Sequence, residues 1–448
     1  MSLKRFPPGA ALWAVLALAL ALRLAAALWW QARLGPGQQF YFGDSDAYWV
    51  LAKQIAHGQP FQYGSPDARI FRMPGYPALL SAMLWLFGDE MPVIYARSLS
   101  ALLGTAAVAA VYALAAALFD RRTALLAALA AACYPGAIAM SIFVLSEAPF
   151  CPLYLAQLAA WVKGWHCDDA RRRLAWAVAS GLLGGLATLM RPDWLLFVPF
   201  AAVIGLFIAQ RTSGGCQAED GLPRPSSDRR DGLGRPSSGD VQPWLRHLKL
   251  ALVMSLAVAA VMTPWWWRNF GIYGRFIPTT LQVGASLYDG LNPRATGASE
   301  MSFCAEFVQQ ENRAAPEAND LEYRVDRRLW HAAIEWATAN PASVVRLAGI
   351  KFVRLWNPWP NDPQRRGGLL SFITAATFLP AIVLAIMGIW RSRRDAWPAA
   401  LAWLPAIYLT SLHLIFVSSI RYREPPMLAL LIFAAAAITR GNQPSSAR

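Results

Sequence analysis

The chain is poor in the residues that build metal clusters, redox motifs and disulfide scaffolds. Its five cysteines (Cys133, Cys151, Cys167, Cys216 and Cys304) show no C-x-x-C spacing, which argues against a zinc ribbon, a thioredoxin-like site or a disulfide framework. The five histidines lie far apart, and no spacing sets an imidazole beside an aspartate. Charge is scarce as well. Only 15% of the 448 residues are charged against 56% hydrophobic, too little polar surface for a globule facing water. What is plentiful is apolar sequence and tryptophan, of which there are 20. The main solvent is therefore lipid, and the expected fold class is an all-α polytopic membrane protein. The net charge of +14 does not point to nucleic acid, because Lys and Arg fall in short clusters between apolar runs instead of along one stripe. Such clusters are topology signals.

A helix needs about 20 apolar residues to cross the hydrocarbon core. Ten runs approach this, near 9 to 30, 93 to 118, 122 to 141, 147 to 163, 174 to 190, 194 to 210, 249 to 267, 369 to 390, 396 to 418 and 425 to 439. The first, behind Lys4 and Arg5, is too long for a signal peptide and lacks a small-residue cleavage site. With the N-terminus in the cytoplasm, every inside loop carries a basic cluster, such as Arg121 and Arg122, Arg171 to Arg173, and Arg391 with Arg393 and Arg394. Both termini are then cytoplasmic. The run from Pro74 to Phe87 is expected to lie in the membrane plane, since counting it as a span inverts every later loop. Residues 211 to 248 repeat Leu-x-Arg-Pro-Ser-Ser imperfectly and read as a disordered linker. It separates an N-terminal module, 1 to 210, from a C-terminal one, 249 to 440. Two outside segments, 31 to 92 and 268 to 368, are long enough for structure of their own.

Chemistry concentrates on that outside face. Gly43-Asp44-Ser45-Asp46-Ala47-Tyr48 sets two carboxylates just above the first span, where one can deprotonate a hydroxyl or merely cap a helix. Arg72-Met73-Pro74-Gly75-Tyr76-Pro77 sets a cation before two prolines; it suits a phosphate, or an anchor at lipid head groups. Arg97, Arg191, Arg268, Arg421 and Arg423 also fall at outer span ends, against the positive-inside bias, and a set of such arginines asks for an anionic ligand. Glu147 opens the fourth span and Arg23 lies within the first, where ionisable groups are costly unless paired or functional. Trp265, Trp266, Trp267, Trp356 and Trp359 suit an interfacial aromatic belt.

The arrangement resembles the GT-C membrane glycosyltransferases, in particular the bacterial branch related to protein O-mannosyltransferases and aminoarabinose transferases. The matching features are Asp44 with Tyr48, Ala52 and Gly58, Arg72 to Pro77, Ala96-Arg97, Leu145-Ser146-Glu147, Pro264 to Asn269, and Arg421-Tyr422-Arg423. They run from the first span to the last. The resemblance implies a GT-C-like bundle with two structured outer loops, and transfer of a sugar from a polyprenyl-phosphate donor to a protein, lipid or glycan acceptor, with inversion. It also implies an inner-membrane location with the site facing the cell exterior or periplasm. Asp44 falls at the family's acidic position, but relatives often have Asp-Glu where this chain has Asp44-Ser45 with Asp46 next, so either carboxylate is a candidate base. The arginines become donor-phosphate ligands, and Tyr48, Tyr76 and Glu147 substrate contacts. Asp44-Ser45-Asp46 has the form of a metal-binding D-x-D, yet a monophosphate donor lacks the pyrophosphate that such a metal bridges. The expectation is a reaction without a cofactor.

Two other functions fit many spans with buried charge: a transporter or flippase, and a ligase or polymerase of lipid-linked glycans. The first usually shows paired halves and polar groups at the midplane; here no internal symmetry is visible, and the polar residues collect at one face. The second shares both donor class and site location. A structural membrane protein without activity is the third.

Overall fold

The computed structural model describes residues 9–35, 37–214, 243–316, 318–361, 367–392 and 396–440, which form helices joined by loops, without a strand among them. Every apolar run named above is a helix: α1 Ala10–Gln31, α4 Val93–Leu118, α5 Arg121–Cys133 with the short α6 Pro135–Met140, α7 Glu147–His166, α8 Ala170–Met190, α9 Phe197–Gly214, α10 Pro243–Tyr273, α15 Leu369–Arg391, α16 Ala396–Ile415 and α17 Glu424–Arg440. The 31 to 92 segment adds α2 Gly43–Ala56 and α3 Gly75–Phe87. The second segment adds α11 Val283–Gly290, α12 Cys304–Ala314, α13 Leu321–Ala339 and α14 Pro341–Trp356. Six helices among the described residues are long and apolar enough to cross a membrane: α1, α4, α8, α10, α15 and α16. The protein is a multi-pass membrane protein. At 13 residues α3 is about 20 Å long, too short to span.

Three sequence expectations change. The run 122 to 141 is not one span: Pro135 has no N–H to continue the ladder and pushes Tyr134 into an extended conformation, so α5 stops at Cys133. The Trp-rich helix α10 does not end at residue 267. It continues past Pro264 to Tyr273 and stops at Gly274, whose φ of 63° provides the left-handed turn after a helix. Of the expected linker 211 to 248, residues 215–242 lie outside the described residues, while its ends belong to α9 and α10.

Lipid tails are as apolar as leucine, so close packing, more than burial from water, holds such helices together, and small residues line the contacts. Ala124, Ala127, Ala128, Ala131 and Ala132 of α5 are all buried. A Cβ on Gly388 of α15 would sit 2.0 Å from the Phe433 carbonyl of α17, which is why only glycine fits there. α17 is the central helix: from Glu424 to Ala437 every residue is buried. It packs against α5, α15 and α16, while α7 is held between α4 and α8.

Arg23, deep in α1, has no carboxylate partner among the described residues. It donates to the carbonyls of Ala19 (3.1 Å), Ala131 and Ala132 (both 3.2 Å), and its Nε to Ser141 Oγ (3.1 Å). Ala131 and Ala132 lie in the last turn of α5, where carbonyls lack helical partners. The guanidinium closes the helix end that Pro135 opened.

Candidate functional site

The two loop segments fold onto each other. Glu322 of α13 accepts the backbone N–H groups of Arg69 (3.0 Å) and Ile70 (3.0 and 3.1 Å) and the Tyr273 hydroxyl (3.0 Å). Trp265 is buried and donates to the Thr279 carbonyl at 2.7 Å, so it is a post for this assembly and not part of an aromatic belt. Burial pushes the Glu322 carboxyl up to about 7, against the pull of those donors.

Under this clasp lies a chain of alternating charges. Asp44 stands in the first turn of α2, but it does not cap that helix: the cap position is Phe42, with no side-chain hydrogen bond. Instead Asp44 Oδ1 accepts from Arg72 Nη2 at 2.6 Å and Oδ2 from Arg421 Nη1 at 2.9 Å. Arg421 turns its Nε and Nη2 onto Glu147, at 2.6 and 3.1 Å. Glu147 also receives Arg191 Nη1 at 2.8 Å, and Arg191 in turn holds Asp193 at 2.7 Å. The order is Arg72, Asp44, Arg421, Glu147, Arg191, Asp193: three cations and three anions from five separate stretches of chain. Gln282, just ahead of α11, fixes the free side of Arg72 at 3.0 Å. Aromatic faces complete the walls, with Phe42 and Tyr422 within 6 Å of Arg421, and His413 stacked on Tyr422 at 4.2 Å.

Exposure is lowest in the middle of this chain. Glu147 is fully buried, whereas the Asp44 side chain keeps 29% and the Asp193 side chain 20% of its surface exposed. Burial alone would raise the Asp44 carboxyl, but the Arg72 and Arg421 guanidiniums outweigh it and hold it at about 2. Tyr48 lies buried beneath Arg72, with Tyr76 edge-on behind it at 5.3 Å and its hydroxyl on Ser100.

Of the residues expected from sequence, Asp44, Arg72, Arg191, Arg421 and Glu147 come together, and Tyr48 and Tyr76 stand directly behind. Asp46 does not join them. It lies two residues along α2, exposed, with Tyr63 Oη at 3.3 Å. The two aspartates face different neighbours, and among the described residues there is no group of three His, Cys, Asp or Glu that could hold a metal ion. Three arginines are elsewhere, each with at least one backbone carbonyl as partner. Arg97 binds the Ile142 and Gln39 carbonyls and Gln31 Oε1. Arg268 binds the Phe61 and Arg69 carbonyls. Arg423 binds the Asn357 carbonyl and Glu424. Glu147 has no exposed surface to offer a ligand; its role is to join two arginines. Gln282 and Asp193 were missed. Asp193 was legible as the i+2 partner of Arg191, whereas nothing in the sequence marks Gln282.

Residues 72–215 match the family model described as dolichyl-phosphate-mannose-protein mannosyltransferase. No curated protein matches the sequence. Among solved structures, the archaeal oligosaccharyltransferase AglB from Archaeoglobus fulgidus, in complex with an inhibitory peptide and a dolichol-phosphate, is similar over 98% of this chain and 51% of its own, at 14% identity and a TM-score of 0.58. The same archaeal enzyme tethered to an acceptor peptide matches over 98% and 50%, at 15% identity and a TM-score of 0.57. ArnT from Cupriavidus metallidurans bound to undecaprenyl phosphate aligns over 95% and 77%, at 13% identity and a TM-score of 0.44, a likeness too loose to bear on the argument. The chain thus spans about half the length of the solved oligosaccharyltransferase, with the fold expected from its sequence, that of the GT-C membrane glycosyltransferases.

Proposed function

We propose that the protein is a glycosyltransferase that moves a sugar from a polyprenyl-phosphate donor to an acceptor hydroxyl or amine at the outer face of the membrane, with inversion. The observation that carries this reading is the partly open carboxylate of Asp44 held between Arg72 and Arg421. Displacing a polyprenyl phosphate from an anomeric carbon requires a base on the acceptor's side and fixed cations on the leaving phosphate's side. Guanidiniums suit the second task because they are planar, permanently charged and bidentate. Asp44 is the base in this reading; Arg72 and Arg421 bind the phosphate, and Glu147 with Arg191 positions Arg421. The mannosyltransferase family model over 72–215 and the dolichol-phosphate bound by the archaeal enzyme support the donor class. This reading assigns no role to a metal. The acceptor proton passes to Asp44 as the acceptor oxygen or nitrogen attacks the anomeric carbon, and the bonding pair of the sugar–phosphate bond leaves with the phosphate.

The test is release of polyprenyl phosphate from a lipid-linked monosaccharide by the purified protein. Asp44→Asn is expected to lower the rate by about 10²- to 10⁴-fold while the protein inserts and purifies as before. Full activity in that variant would falsify the assignment. A strict requirement for a pyrophosphate-linked glycan would instead indicate a ligase.

A further inference from the structure

We infer that Asp44 is the resting occupant of the phosphate site: its carboxylate fills the place between Arg72 and Arg421 that the donor phosphate takes, so the base becomes free only when the donor is bound. This deepens the reading above and rests on it.

The geometry is that of an internal ligand. Each Asp44 oxygen meets a different guanidinium, at 2.6 and 2.9 Å, as two oxygens of a phosphodiester would. The two arginines are anchored from behind, Arg72 by Gln282 and Arg421 by Glu147, so they keep their places when Asp44 departs. Arg191 is tied by two acids, Glu147 and Asp193, and is not free to exchange. The charges also suit a swap. A sugar phosphodiester has one negative charge, as the Asp44 carboxylate does, so the arginine pair meets the same charge before and after the exchange.

A carboxylate whose oxygens both accept from guanidiniums has little basicity to spend on an alcohol. Once phosphate takes those donors, Asp44 is released beside the sugar with its lone pairs available. After transfer the phosphate carries a second negative charge and Asp44 carries the acceptor's proton. The carboxyl cannot reclaim the arginines until it loses that proton. Donor binding before acceptor activation is therefore built into the site.

Farnesyl phosphate titrated into the full-length protein in detergent tests this, followed by intrinsic tryptophan fluorescence. Asp44→Asn removes the internal competitor, so it is expected to bind the probe about tenfold more tightly although transfer is lost. Asp46→Asn, which takes one charge from the same helix outside the arginine pair, is expected to change affinity by less than about twofold. Equal tightening in both variants would mean bulk electrostatics, and unchanged or weaker binding in Asp44→Asn would mean no competition; either overturns the inference. Infrared difference spectra of the wild-type protein give a second readout, with a carboxylate band moving on probe binding; its absence also overturns the inference, whatever the variant's folding. Wild-type binding that is unaffected by Arg72→Ala and Arg421→Ala defeats the phosphate reading itself.

Discussion

The protein buries its arginines in two different ways, and the contrast separates scaffold from site. Arg23, Arg97 and Arg268 end mainly on backbone carbonyls, whereas Arg72, Arg191 and Arg421 end largely on carboxylates. A carbonyl belongs to the fold and cannot move aside without local unfolding. A side-chain carboxylate can rotate away and yield to another anion. The first group therefore holds geometry; in the second, Arg72 and Arg421 can exchange partners, while Arg191, tied by two acids, holds Glu147 in place. Formal charge alone does not distinguish the two, since both are guanidiniums.

The contrast can be broken from either side. Arg421→Ala leaves Glu147 and Asp44 short of a cation, and the largest effect is expected there: turnover down by about 10²- to 10³-fold in the polyprenyl-phosphate release assay, with a stability loss on the order of 3 kcal/mol in thermal unfolding. Arg23→Met uncovers the carbonyls of Ala131 and Ala132 at the end of α5. It should cost a similar amount of stability, about 3 kcal/mol, yet leave turnover per folded molecule within about twofold. If Arg23→Met abolishes turnover in folded protein, the division between scaffold and site fails.

The clasp over the site sharpens the same comparison, because it pairs an acid with backbone N–H groups. Glu322 is held at about 7, above its ordinary 4.5, so the folded protein binds a proton there that the unfolded chain releases. Its contribution to stability is therefore fully present below about 4.5 and is lost as pH rises through about 7, by about 1.4 kcal/mol per unit at most. Glu322→Gln should flatten that slope in melting temperatures measured between pH 5 and 8; an unchanged slope would place the titrating group elsewhere. The smallest expected effect is at Gly274, where an alanine must adopt φ near 63° although its Cβ has open space. Gly274→Ala should cost about 1 kcal/mol, and a neutral result would mean that the end of α10 tolerates another turn.

Much of this fold was legible because apolar runs speak directly through hydropathy. Every expected run is helical, and the resemblance placed Asp44, Arg72 and Arg421 among the candidates before any geometry was known. Averaging over a run also hid the break at Pro135, a single residue inside an otherwise apolar stretch. The pairings were hidden for another reason. Asp44 and Arg421 are 377 positions apart, and no local pattern encodes which arginine meets which acid. Arg97 and Arg268 looked equivalent to Arg72 because backbone carbonyls, which occupy them, have no residue type to read. Gln282 was silent because a lone glutamine in a loop carries no signature.

The buried course of α17 has a consequence for how the molecule is made. Arg421 enters through the turn that leads into this helix, and α17 is the last of the described helices to leave the ribosome. Until it threads between α5, α15 and α16, neither Asp44 nor Glu147 has its shared cation. A nascent chain halted before residue 421 would hold three acids against two arginines and an open core, which makes it a natural target for membrane quality control, and the charge cluster is completed in a single late step of biosynthesis.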